Sequence, residues 1–152
     1  LHLDFSSCYS VNDEAIACIM KPVKEMKRLK NLGLVFNRIP AITNQSVKAL
    51  MDSLEDLTEL TDLELEFFRN KTDKEAIEMI AGSLKKLPRL YSFSIAFATF
   101  NKGTCDEGFK VLFEILEELV NIREVGLTSE SFEVPGVEKL KQIKSVKTSI
   151  MM

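Results

Sequence analysis

Three columns of apolar residues recur down the chain every 30 to 32 positions. Leu1, Leu32, Leu63, Phe93 and Val125 form the first, and Leu3, Leu34, Leu65, Ile95 and Leu127 form the second, two residues on. The third reads Phe5, Phe36, Phe67 and Phe97, and Ser129 breaks it. Apolar residues at period two mark a strand with one buried face. The same strand returning at a fixed period marks a stacked repeat. The pattern predicts strands centred on Leu3, Leu34, Leu65, Ile95 and Leu127, parallel, in that order, with right-handed connections. A weaker sixth is expected over Val146 to Ile150, where the column reads Val146, Thr148, Ile150.

A second set of columns lies between the strands. Ile16, Val47, Ile77 and Phe109 align, as do Ile19, Leu50, Ile80 and Leu112. Val23, Leu54, Leu84, Leu116 and Val137 follow, then Met26, Leu57, Leu87, Leu119 and Leu140, then Leu29, Leu60, Leu90, Ile122 and Ile143. The early spacings of three and four put these side chains on one helix face. The later steps of three suit a tightened last turn running into the next strand. Asn12, Asn44, Thr72 or Asp73, and Thr104 to Asp106 are expected helix starts, since all carry capping side chains. Pro135 suits the first turn of a last, shorter helix. Pro22 is expected to end or kink the first helix near Met20.

Each unit is therefore strand, loop, helix and turn in about 31 residues. One unit alone buries neither its strand face nor its helix face. Stacked units make a parallel sheet on one side and a helix layer on the other, with a continuous core between them. The fold class is α/β. The segments Leu29-x-x-Leu32-x-Leu34, Leu60-x-x-Leu63-x-Leu65, Leu90-x-x-Phe93-x-Ile95 and Ile122-x-x-Val125-x-Leu127 resemble the leucine-rich-repeat family, in its long ribonuclease-inhibitor-like class. The resemblance covers nearly the whole chain and implies a curved solenoid with the sheet inside and the helices outside. The phenylalanine column resembles an extended variant common in protist repeat proteins. The family places Asn or Cys in the turn after the strand, where the side chain bonds loop backbone. The matching column here is Cys8, Ile39, Asn70, Phe100 and Phe132, of which only Cys8 and Asn70 fit.

At 45% hydrophobic and 28% charged residues, the composition is that of an ordinary globular chain. No low-complexity linker interrupts the repeats, so residues 1–152 read as one domain of about five repeats. No apolar run approaches the roughly 18 residues of a membrane span. The chain begins at Leu1, already in strand register, with no signal peptide and no preceding polar cap. That predicts a piece of a longer repeat protein, or a first strand, Leu1 to Phe5, covered by another chain.

Little catalytic chemistry is present. The single histidine, His2, has no second histidine beside it to build a triad or metal site. The six glycines are isolated, and no phosphate-binding loop is formed. Cys8, Cys18 and Cys105 have neither disulfide-framework nor zinc spacing. Cys8 and Cys18 are expected in or near the core. Cys105 falls near a helix start, where a thiolate is favoured. This cysteine usage points to a reducing, intracellular and cytoplasmic setting. A formal charge of −3, without basic residues interleaved with aromatics, argues against nucleic acid. No cofactor, metal or small-molecule substrate is implied.

The open face of the sheet follows from the alternation. Its positions are His2, Asp4 and Ser6; Gly33, Val35 and Asn37; Glu64, Glu66 and Phe68; Ser94, Ala96 and Ala98; Gly126, Thr128 and Glu130. Asp4, Val35, Asn37, Glu64, Glu66 and Phe68 are the candidate partner-binding residues. Phe68 either stands exposed beside the carboxylates as an anchor or folds back into the core, and the pattern admits both. From Asp52 to Phe68 there are seven acidic residues and no basic one. Five basic residues lie between Lys21 and Lys30, and four lysines follow Glu138. An acidic middle between basic ends would steer a basic partner to the centre. The expected function is a non-catalytic protein–protein interaction scaffold in a larger assembly. The alternative is a GTPase regulator resembling the Ran-activating leucine-rich-repeat proteins. In that reading Arg38 and Arg69, in strand-to-helix loops, are the arginines to test.

Overall fold

The apolar columns become the strands of a single sheet. In a computed structural model, which describes residues 1–99, 106–129 and 136–150, six strands pair in chain order, every neighbour parallel. They are β1 (His2–Asp4), β2 (Asn31–Val35), β3 (Asp62–Asn70), β4 (Ser92–Thr99), β5 (Glu124–Ser129) and β6 (Ser145–Ile150). Leu3 pairs with Leu34, Leu34 with Leu65, Leu65 with Ile95, Ile95 with Leu127 and Leu127 with Thr148. The sequence column is thus the register itself.

Between the strands run α1 (Asp13–Lys24), α2 (Asn44–Leu54), α3 (Lys74–Leu84), α4 (Asp106–Glu118) and α5 (Val137–Ile143). All pack on one face of the sheet, and the core lies between the two layers. The steps of three behave as expected. The amide of Leu57 donates to Leu54 and that of Leu60 to Leu57, at 2.8 and 3.0 Å. Leu87 and Leu90 repeat this at 3.2 Å. Each tightened turn buries two leucines while it reverses the chain.

The phenylalanine column is a continuous stack. Ring centroids lie 5.6 Å apart from Phe5 to Phe36 and from Phe36 to Phe67, and 6.2 Å apart from Phe67 to Phe97. Where the strand column ends, α4 continues it. Phe109 meets Phe97 edge-on at 6.4 Å, and Phe113 lies 6.0 Å beyond.

Several expectations are corrected. Pro22 does not end α1, which runs on to Lys24. Pro22 lies on the exposed face of the last turn, where water reaches the carbonyl that lost its donor. α2 does start at Asn44 as expected, but the residue that caps it is Thr43, whose hydroxyl accepts from the Gln45 amide. Asn44 instead exchanges two hydrogen bonds with Asp73, the cap of α3. Met26 is 42% exposed, unlike Leu57 and Leu87 in the same column, which are buried. Cys8 and Cys18 are exposed rather than near the core. Cys8 lies in the loop after β1 and Cys18 on the outer side of α1. Glu130, Phe132 and Pro135, with Phe100, Thr104 and Cys105, lie outside the described residues.

Candidate functional site

Helices cover one face of the sheet, and the other face presents rows of side chains across the strands. The first row runs His2, Gly33, Glu64, Ser94, Gly126 and Lys147. The second runs Asp4, Val35, Glu66, Ala96, Thr128 and Ser149. Phe68 and Ala98 pair in a third row. The candidate residues Asp4, Val35, Glu64, Glu66 and Phe68 therefore share this face on three adjacent strands, and Asn37 bonds into it from the loop after β2.

The two halves of the face differ. Toward the strand starts it is polar. The Glu64 side chain is 48% exposed, and its carboxylate lies 3.8 Å from His2 Nδ1. Asn31 Nδ2 donates to Asp62 at 2.6 Å. The Ser6 hydroxyl and amide hold the Asp4 carboxyl below its usual range, with a smaller pull from His2. Toward the strand ends the face becomes apolar and closed. Val35 and Phe68 are each only 6% exposed, and Ala96 and Ala98 are also buried. Phe68 takes the buried alternative without joining the main core. The Arg69 guanidinium lies 5.2 Å from the centre of its ring. Asn37 bridges the halves, donating to Glu66 at 2.6 Å and accepting from the Phe68 amide at 2.9 Å.

The loops after the strands share one backbone solution. Ser7, Arg38 and Arg69 all have φ near +60°, at 61°, 60° and 57°. The Ser7 amide donates to Asn37 and the Arg38 amide to Phe68, at 2.9 and 2.7 Å. Asn70 completes the turn from inside. It donates to the Phe36 carbonyl and accepts from the Ile39 amide, which is the role the turn asparagine was expected to have. Arg38 thus stands beyond the end of β2, whereas Arg69, expected in a strand-to-helix loop, is still part of β3, which runs on to Asn70.

The acidic run has a different meaning in three dimensions. Asp52 pairs with Lys48, Glu55 with Lys86, Asp56 with Lys24 and Lys27, and Glu59 with Arg89. Much of the apparent acidic middle is therefore neutralised on the helices and the turns that follow them, partly by the neighbouring basic run. Asp62, Glu64 and Glu66 remain on the open face. Among the described residues none of the three has a lysine or arginine partner, and no group of His, Cys, Asp or Glu side chains could hold a metal ion. Asn31 is the site residue that the sequence reading missed. Carrying the alternation one step back from Gly33 would have placed it on this face.

No protein-family model and no curated protein matches the chain. Among solved structures it is similar to one titled leiomodin-1 actin-binding site 2 (ABS2). The TM-score is 0.68 at 14% identity, covering 93% of this chain and 76% of that one. The α/β arrangement with its all-parallel six-stranded sheet is consistent with a leucine-rich-repeat-like fold. No helix among the described residues is long and apolar enough to cross a membrane.

Proposed function

We propose that this chain is part of a leucine-rich-repeat solenoid of the ribonuclease-inhibitor-like class. In this reading it is a non-catalytic scaffold that holds a protein partner of basic character on its open sheet face. One observation carries the reading: on a face bare of helices Asp62, Glu64 and Glu66 have no lysine or arginine partner among the described residues, while Asp52, Glu55, Asp56 and Glu59 on the helix side are paired. The fold neighbour, titled an actin-binding site, supports a fold suited to holding a protein. Exposed free thiols at Cys8 and Cys18 support an intracellular, cytoplasmic setting.

A photo-crosslinking residue at Ser94, on the open face, should trap a protein adduct. The same residue at Lys110, on the exposed side of α4, should not. Adducts from Lys110 alone would move the partner to the helix layer. The double variant Glu64→Lys, Glu66→Lys should slow association with the trapped partner more than it speeds dissociation, because exposed charges act chiefly on encounter. A GTP-hydrolysis assay with and without the chain separates the scaffold from a GTPase regulator, and no stimulation is expected.

A further inference from the structure

The open face is uneven in charge and relief, and the unevenness specifies what it receives. The carboxylates Asp4, Asp62, Glu64 and Glu66 all lie on β1 to β3, while Lys147, the lysine of the first row, is three strands away on β6. At about 4.8 Å per strand, that separates it from Glu64 by roughly 14 Å. The basic side chains that neutralise the neighbouring carboxylates are committed to the helix side.

The relief is set by glycine. In the row that contains Glu64, both Gly33 and Gly126 lack side chains. A Cβ at Gly33 would come within 2.3 Å of His2 Nδ1 and 3.2 Å of Glu64 Oε2, and one at Gly126 within 2.4 Å of Ser94 Oγ. At Gly33 the bare backbone leaves a shallow trough of about 400 Å³ over β1 to β4, lined in part by Asn31, Gly33, Asp62, Glu64 and Ser94; Leu1 also lines it, and its ammonium is taken up by the Asn31 carbonyl at 2.8 Å. His2 shows how the trough is entered. Its imidazole leans across the bare backbone of Gly33 toward Glu64 and stops at 3.8 Å, with both side chains about half exposed.

We propose that this trough docks an extended segment of a partner protein that presents a lysine or arginine. The aliphatic stem lies on the Gly33 backbone, and the cationic head sits between Asp62 and Glu64, displacing His2. The proposal rests on the open-face reading above and adds the chemistry of the segment and its place. Long basic side chains suit such a site because the stem covers backbone while the head meets carboxylate.

The test is a titration of the ¹⁵N-labelled chain with octalysine, with octaglutamate as control. Saturable amide shifts are expected at Gly33, Glu64 and Ser94 with octalysine alone. Glu64→Gln and Asp62→Asn should each weaken binding about two- to five-fold, the range for a partly exposed ion pair. Gly33→Ala should weaken it too by raising the floor; the new methyl meets only the mobile ends of His2 and Glu64, so the fold is retained. His2→Ala should leave binding intact or tighten it. Shifts centred on Glu55 and Glu59, open-face shifts that Glu64→Gln leaves unchanged, or no saturable shifts would each overturn the proposal. If a protein crosslinked at Ser94 binds equally well to Glu64→Gln, the open-face reading stands and the basic-segment proposal falls.

Discussion

Phe67 and Phe68 are adjacent, both buried, and energetically unlike. Phe67 stacks between Phe36 and Phe97 in the main core. Phe68 is buried on the open face, outside that core, with a guanidinium beside its ring. Removing the first leaves a cavity between two rigid layers, whereas water can reach the space left by the second. In urea denaturation Phe67→Ala should cost about 3–5 kcal/mol and Phe68→Ala clearly less. Equal losses would place Phe68 in the main core. Arg38 offers a converse case. Its left-handed backbone is disfavoured for any residue with a Cβ by about 1 kcal/mol. Arg38→Gly should leave stability unchanged or raise it by up to about that amount, since glycine's unfolded-state entropy offsets part of the relief. Arg38→Val should be plainly destabilising. A loss of stability in Arg38→Gly would show that the side chain, not the backbone, holds that turn.

Neighbouring helices are joined at their starts by side chains that reach across one unit. Asp13, in the first turn of α1, accepts from the Thr43 amide at 3.0 Å, from the Thr43 hydroxyl at 2.7 Å, and from the Ser46 hydroxyl. Partial burial opposes its ionisation, but the Ser46 and Thr43 bonds outweigh this and hold its carboxyl below the usual range. A carboxyl with a depressed folded-state pKa stabilises above its unfolded value of about 3.9. That contribution is lost as pH falls through the folded value. Asp13→Ala should therefore lower stability at neutral pH by about 1–2 kcal/mol, as loss of a helix cap does. The gap from the parent chain should close as the pH is taken well below 4. Denaturant midpoints of both chains across pH 2–7 would test this, and a gap unchanged at low pH would remove Asp13's charge from the explanation.

Among the described residues the molecule is one six-stranded sheet, with β1 and β6 at its edges, and one helix layer. Central strands pair on both sides and are the longest: β3 spans nine residues and β4 eight, against three in β1. Amide exchange should be slowest in β3 and β4, and faster by about an order of magnitude or more in β1 and β6, where one side of each strand is unpaired. Uniform protection across all six strands would mean that the sheet opens only as a unit. The same geometry gives the molecule an open face whose Asp62, Glu64 and Glu66 have no lysine or arginine partner among the described residues, which is why function is sought there.

Strand order, register and the leucine turns were legible in the sequence because each is a local periodicity repeated about every 31 residues. Every copy restates the same instruction. The aromatic stack followed too, since parallel strands in register put like residues side by side. The site was legible only in outline. Alternation placed Asp4, Val35, Glu64 and Glu66 on one face, but could not choose between the two fates of Phe68. Period-two logic fails where β3 shifts register between Phe68 and Asn70, entering the left-handed turn at Arg69. Nor do Ser7, Arg38 and Arg69 carry the glycine that would announce such turns. The charge pattern misled for a different reason: Asp56 and Lys24 are 32 residues apart in the chain and 3.2 Å apart in space. Periodicity along the chain decides which elements form and which way they face. Only their packing decides which charges cancel, and so which carboxylates remain for a partner.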